Sequence, residues 1–197
     1  MTNSKPALLI VQPHLGPLTT YLEPDYTVWR FWEGPPVEAV SLIRALVLAG
    51  EFPVDKVLAE RLPNLGLIAF FTAGYDGLDV EWARGRGLKV SHSPGVNHED
   101  VADHALGLIL AAWRRIVKGD RGLRAGEWKT ADRALSPSLG GRRLGVVGLG
   151  AIGEAVARRA EAFGLEIAWW GPREKPGAPW PRAESLQALA AASDILV

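Results

Sequence analysis

The segment that most restricts how this chain can fold runs from Arg143 to Gly153. There a short apolar stretch, Arg143-Leu144-Gly145-Val146-Val147, leads directly into Gly148-Leu149-Gly150-Ala151-Ile152-Gly153. An apolar pentad followed by glycines spaced G-x-G-x-x-G predicts a buried strand, a tight turn and the start of a helix. The helical pattern that follows sets Ile152, Val156, Ala160 and Phe163 on one face, with Glu154, Arg158, Arg159 and Glu161 outside. Glu154 and Arg158 form a favourable i,i+4 pair. A second apolar segment, Leu165–Trp170, completes a β-α-β unit. In such a unit the first glycine permits the turn and the second lets a diphosphate approach the backbone. The third lets the helix pack closely on the strand. Unpaired amides at the helix N-terminus then favour the anion. A glycine turn with a purely structural purpose is the alternative, but strand, turn, helix and strand in this order are the context a dinucleotide site requires. The candidate cofactor-binding residues are therefore Gly148, Leu149, Gly150, Ala151, Ile152 and Gly153.

The end of the second strand bears on which dinucleotide is bound. NAD sites place an Asp or Glu there, about 20 residues after the glycines, to hold the ribose hydroxyls. Here that place is taken by Gly171, and the sequence continues Pro172-Arg173-Glu174-Lys175. No carboxylate stands at the strand end to repel a 2′-phosphate. Arg173 is placed to pair with one and Lys175 to assist. Gly171, Pro172 and Arg173 join the candidate cofactor residues, with NADP(H) favoured and NAD(H) possible. The competing reading is a solvated charged loop, with Glu174 reaching the ribose from an unusual place.

The rest of the chain repeats the alternation of strand and helix. Strands are expected at Ala7–Val11, Tyr26–Phe31, Arg44–Leu48, Leu67–Phe71 and Leu88–Ser91, and helices at Val54–Leu62 and Leu78–Arg86. A polar loop containing His14 and Gly16-Pro17 follows the first strand. Apolar rather than alternating strands imply a parallel sheet covered by helices on both faces, an α/β domain. The next stretch, His98 to Val117, reads as one helix, with Glu99, Asp100 and Asp103 in its first turns and Arg114, Arg115 and Lys118 in its last, matching the helix dipole. Its middle, Ala105–Ala112, is apolar all round. Burial on every side is therefore expected, either in a core, between domains or at a subunit interface. Asp120–Gly141, with Gly122, Gly126 and Ser136-Pro137-Ser138, is expected to be a long irregular excursion.

Composition excludes several chemistries. Lys plus Arg (22) balance Asp plus Glu (22), so no global charge recruits nucleic acid or an anionic membrane. The chain has no cysteine, which removes disulfides, thiolate metal sites and Cys nucleophiles. Ala7–Val11 is too short for a signal-peptide core, and the longest apolar run, Ala105–Trp113, is far short of a membrane span. The expectation is a cytoplasmic protein with no nucleic-acid or membrane partner and no metal site.

These motifs together resemble the D-isomer-specific 2-hydroxyacid dehydrogenase family, in its glyoxylate/hydroxypyruvate reductase-like branch. Phe71-Thr72-Ala73-Gly74-Tyr75-Asp76-Gly77-Leu78-Asp79 is similar to the family's substrate loop. Val90-Ser91-His92-Ser93-Pro94-Gly95 and Val101-Ala102-Asp103-His104-Ala105 are similar to its interdomain crossing and helix. Arg124-Ala125-Gly126-Glu127-Trp128 and Ser138–Gly164 are similar to the approach to the cofactor domain and to the fingerprint unit.

The resemblance implies a flavodoxin-like substrate domain (1–96) followed by the N-terminal half of a Rossmann NAD(P)-binding domain (97–197), together assembling as a homodimer. It implies that the backbone amides of Ala73 and Gly74 hold the substrate carboxylate, a task suited to a glycine turn after a strand; a plain βα turn is the alternative. Gly50, Glu51 and Phe52 are expected to line the cleft. The family's catalytic histidine, its acidic partner and its arginine are expected beyond Val197, so no catalytic residue is assigned within this span. None of His14, His92, His98 and His104 suits the role. The implied reaction is NADP(H)-dependent reduction of a small 2-oxo acid. Two alternatives stay open: a non-catalytic nucleotide-binding regulator of co-repressor type, and a same-fold dehydrogenase for formate, phosphite or phosphoglycerate.

Overall fold

The computed structural model describes residues 5–127 and 135–197, which form two compact units, Met1–Val96 and Asn97–Val197. Trp128, the last residue of the stretch before the fingerprint unit, lies outside the described residues.

The first unit is a five-stranded parallel sheet. Its strands are β1 (Ala7–Ile10), β2 (Thr27–Arg30), β3 (Ile43–Leu48), β4 (Leu67–Phe70) and β5 (Lys89–Ser91). They are joined through the short helices α1 (Thr19–Leu22), α2 (Val37–Val40), α3 (Lys56–Glu60) and α4 (Val80–Gly85). The order β2-β1-β3-β4-β5 is the flavodoxin-like order, which reverses direction between β1 and β3. Central strands carry the core: Leu9, Ile10, Ile43, Leu46 and Ile68 are almost wholly buried. Leu9 packs with Leu46 and Ile68 on one face of the sheet, while Leu8 and Ile10 pack with Leu15 and Ala49 in a separate cluster. The expectation of burial on both faces fails at the edges: β5 is exposed along its length and β2 is only half-buried, because each has one neighbour. Helices α3 and α4 both start on an aspartate cap, Asp55 accepting from Leu58 N and Asp79 from Trp82 N. The expected loop after β1 is instead a 3-10 helix, Pro13–Leu18. Pro13 opens it with a preset φ, and Leu15 anchors it in the core.

The second unit contains α5 (His98–Trp113), α6 (Ile116–Arg124), β6 (Arg143–Val147), α7 (Ala151–Glu161), β7 (Glu166–Trp170), α8 (Leu186–Ala192) and β8 (Ile195–Leu196). The strands are parallel in the order β7-β6-β8. A single parallel bridge from Arg182 to Trp169 lies where a further strand beside β7 would run.

Several expectations for this unit are corrected. The helix from His98 stops at Trp113, and Arg115 turns left-handed (φ 56°) before α6 begins. Arg114 and Arg115 therefore stand beyond its last turn, and Lys118 belongs to α6. The same helix takes in the first residues of the stretch expected to be irregular. Helix α5 is also not buried all round. Ala102, Leu106 and Ile109 face the core, whereas Leu108 is 59% exposed. One side of α5 rests on α7, and its acidic first turns meet α7 directly: Arg158 bonds Glu99 at 3.2 Å and Arg159 bonds Asp103. The Arg159 hydrogen bond holds the Glu99 carboxyl below its ordinary pKa.

The inward face of α7 holds Val156 and Ala160 as its periodicity suggested, but not Ile152 or Phe163. Ala155, Val156, Ala157 and Ala160 are buried, whereas Ile152 and Phe163 are more than 40% exposed. Alanines let α7 approach α5 and the sheet closely, and Ile152 and Phe163 lie at or past the helix ends. Leu9 is fully buried in the first unit's larger cluster. Leu9→Ala is expected to lower unfolding free energy by about 3 kcal/mol, read by urea denaturation.

Candidate dinucleotide and carboxylate sites

The glycines of the fingerprint have three different environments. Gly148 takes φ of 92°, which side-chain-bearing residues rarely adopt, and its amide donates to Trp170 O at 2.7 Å, bonding the turn to the end of β7. A Cβ on Gly150 would meet nothing within 4 Å. A Cβ on Gly153 would overlap the Gly148 carbonyl oxygen and press on Val146 at 3.0 Å. The turn, the open approach and the close helix–strand packing thus fall on successive glycines. The first recorded bond of α7 runs from Glu154 N to Gly150 O at 2.9 Å. Ahead of it, the amides of Leu149 through Gly153 donate to nothing among the described residues, and no side chain caps the helix. An exposed row of donors at a positive helix end is an anion cradle. Leu149 is a partial exception among the candidates: its side chain is buried in the core.

At the end of β7, Gly171 is buried, and a Cβ there would touch the Trp169 ring at 3.4 Å. Pro172 and Arg173 are exposed, and Arg173 makes no hydrogen bond or ion pair among the described residues. Lys175, expected to assist Arg173, is engaged elsewhere. Its ammonium donates to Leu149 O at 3.0 Å and to Glu154 Oε2 at 2.6 Å, clasping the loop after β7 onto the glycine turn. Glu154 is thus drawn to Lys175 more closely than to Arg158, which stands at 4.0 Å. Sequence reasoning missed this clasp, because nothing in the spacing pairs position 154 with 175. It also missed Arg182, which donates to Gly171 O at 2.8 Å and lies over the Trp169 ring.

In the first unit, the loops after β3 and β4 interlock. Gly50 N donates to Thr72 Oγ1 at 2.7 Å, and that hydroxyl donates onward to Gly74 O at 2.9 Å. Gly77 N donates to Gly50 O at 2.9 Å. A side chain at Gly50 would overlap the Gly74 carbonyl, which explains glycine there. The amides of Ala73 and Gly74 donate to nothing among the described residues. Glu51 and Phe52 are exposed. Among the histidines, His14 lies 5.9 Å from the Phe52 ring and His98 pairs with Glu99 at 3.1 Å. No cluster of metal ligands exists among the described residues, and no described helix is long and apolar enough to cross a membrane.

Comparison with known proteins gives the family. Residues 106–197 match the NAD binding domain of the D-isomer specific 2-hydroxyacid dehydrogenases. The solved structure of a dehydrogenase from Rhizobium meliloti is 38% identical, with a TM-score of 0.82 over 96% of this chain and 68% of that one. The chain belongs to the D-isomer specific 2-hydroxyacid dehydrogenase family. Glyoxylate and hydroxypyruvate reductases are among the relatives that it resembles. Hydroxyphenylpyruvate reductase from Plectranthus scutellarioides is 39% identical over 191 residues, covering 92% of this chain. An NADPH-dependent glyoxylate/hydroxypyruvate reductase from Sinorhizobium meliloti, solved with NADP and malonate, is 33% identical with a TM-score of 0.83. That match covers 98% of this chain and 61% of the other. The chain spans about three fifths of the length of the curated relatives it matches first, at 61%.

The contrast between two of the glycines gives a direct test. Gly153→Ala is expected to cost about 2 kcal/mol by overpacking, measured by thermal or urea unfolding, while Gly150→Ala leaves stability within error. The clasp gives a second. The Lys175 hydrogen bond lowers the Glu154 pKa below its ordinary value of 4.5. A carboxylate whose folded pKa is depressed contributes stability above its unfolded pKa and loses it as pH falls through the folded one. The Tm difference between wild type and Glu154→Gln should therefore hold constant near neutrality and shrink below about pH 4.5, read by a pH series of melts.

Proposed function

We propose that this chain is part of an NADP(H)-dependent reductase that converts a small 2-oxo acid of glyoxylate, hydroxypyruvate or arylpyruvate type to its D-2-hydroxy acid. The carrying observation is a pairing of two features. Among the described residues, the amides from Leu149 to Gly153 donate to nothing around an open Gly150, and just past β7 Arg173 makes no hydrogen bond or ion pair while the strand itself ends on no carboxylate. In this reading the amides hold the diphosphate of the dinucleotide and Arg173 its 2′-phosphate. Residues 97–197 are the cofactor domain and residues 1–96 the substrate domain, with the amides of Ala73 and Gly74 on the substrate carboxylate. Names among the relatives support a 2-oxo acid substrate, and the Sinorhizobium neighbour holds both NADP and a dicarboxylate.

Bound NADPH would supply the hydride. The chain's own residues orient it: the Gly148 turn fixes where the diphosphate enters, and the Lys175–Leu149 bond ties the ribose-proximal loop to that turn. The carboxylate-binding amides of Ala73 and Gly74 hold one end of the acid and so restrict its orientation. A proton donor, its acidic partner and an arginine beside the carbonyl complete the chemistry, and none of them is assigned within residues 1–197. The reading also includes a cytoplasmic homodimer, in which the exposed side of α5 around Leu108 is covered by the second copy.

The decisive assay is oxidation of NADPH and NADH by the full-length protein across glyoxylate, hydroxypyruvate and hydroxyphenylpyruvate. Turnover with NADPH preferred is expected, and no turnover with any of them would refute the reading. Arg173→Ala is expected to raise the Kd for NADPH by about tenfold or more while that for NADH changes little, since one charge-assisted hydrogen bond to phosphate is lost.

A further inference from the structure

Two carbonyls of the turn after β4 are tethered from the segment that follows β5. Ser93 N donates to Thr72 O at 3.1 Å, and His92 Nδ1 stands 2.9 Å from Ala73 O. A carbonyl oxygen only accepts, so Nδ1 carries the hydrogen in this contact. None of the described peptide bonds is cis. In a trans peptide the C=O and the next residue's N–H point in opposite directions within one plane. Tethering Thr72 O therefore aims the Ala73 amide, and tethering Ala73 O aims the Gly74 amide. Both amides then leave the turn on the side away from His92 and Ser93, and neither donates to any of the described residues. The Thr72 hydroxyl fixes the next peptide through Gly74 O. The Tyr75 ring packs edge-on to the His92 ring at 4.9 Å and helps to hold the imidazole.

We propose that His92 is a positioning residue: by holding Ala73 O it aims the Gly74 amide, and with Ser93 it preorganises the two-amide site for a substrate carboxylate. This rests on the reading of Ala73 and Gly74 as the carboxylate site. Without the imidazole, the Ala73–Gly74 peptide is free to rotate, and binding an acid must first order it. The carboxylate is held equally in the ground state and the transition state, so the loss falls on KM rather than kcat. Asparagine carries an N–H on a shorter stem and can restore the tether; alanine cannot.

The test uses the full-length protein, with oxalate as the probe. Amide resonances of Ala73 and Gly74 are followed by NMR during oxalate titration of wild type, His92→Ala and His92→Asn, alongside glyoxylate kinetics and NADPH binding. Expected are shifts at both amides in wild type and in His92→Asn. In His92→Ala the oxalate Kd should rise about tenfold, with a matching rise in KM for glyoxylate, while kcat and the Kd for NADPH stay within about twofold. That tenfold corresponds to one charge-assisted hydrogen bond. If wild type binds oxalate at these amides in the expected pattern but reduces no 2-oxo acid, the positioning role stands and the reductase reading falls. Unmoved amides in wild type, an unchanged oxalate Kd in His92→Ala, or failure of asparagine to rescue would each overturn the proposal.

Discussion

Parallel strands cannot be joined by a tight turn; each must be followed by a crossover before the next can pair. Every strand pairing described in this protein is parallel. In each unit the chain therefore leaves its strands at the same edge of the sheet, and the loops that follow them gather there. In the second unit this collects the glycine turn after β6 and the loop after β7; in the first it collects the turns after β3 and β4 and the segment after β5. The order of strands also reverses between β1 and β3, opening the crevice where ligands of such sheets bind.

At that edge the two units prepare exposed amides by different means. After β6 the backbone is tightened by glycines: an unusual φ at Gly148, and at Gly153 a contact too close for any side chain. After β4, ordinary dihedrals suffice, because carbonyls are tied back by Ser93, His92 and Thr72. The first device is written locally in the sequence; the second is made by residues far apart in it. Mutations should act on them differently, through backbone strain in one case and through loss of a tether in the other.

The same distinction explains how much could be read in advance. Strands of the sheet interiors were legible because their runs are apolar and bounded by turn residues, and the fingerprint was legible because its glycines sit at fixed offsets. Helix faces were less so. Ile152 and Phe163 fit a 3.6-residue period, yet the alanines between them decided which side of α7 could approach its neighbours. The uniformly apolar middle of α5 concealed that one stripe packs and the opposite side does not. The left-handed Arg115 that divides α5 from α6 gave no warning, since arginine is an ordinary helix former. The Lys175–Glu154 clasp and the His92 tether are long-range side-chain contacts, and no periodicity encodes them.

The lone bridge from Arg182 to Trp169 matters for the sheet's outer margin. Between Gly171 and Arg182 the chain carries Pro172, Pro176, Pro179 and Pro181, the last of them against β7. Proline has no N–H to donate to a ladder and resists incorporation into one. The segment satisfies the strand locally, through Trp169 N to Pro181 O at 3.0 Å and Ala183 N to Trp169 O at 2.7 Å, and then presents a face that another strand cannot extend. A short, proline-flanked bridge beside β7 is therefore the kind of irregular margin that resists edge-to-edge pairing, a hazard that a regular strand in the same place would pass outward to its own free side.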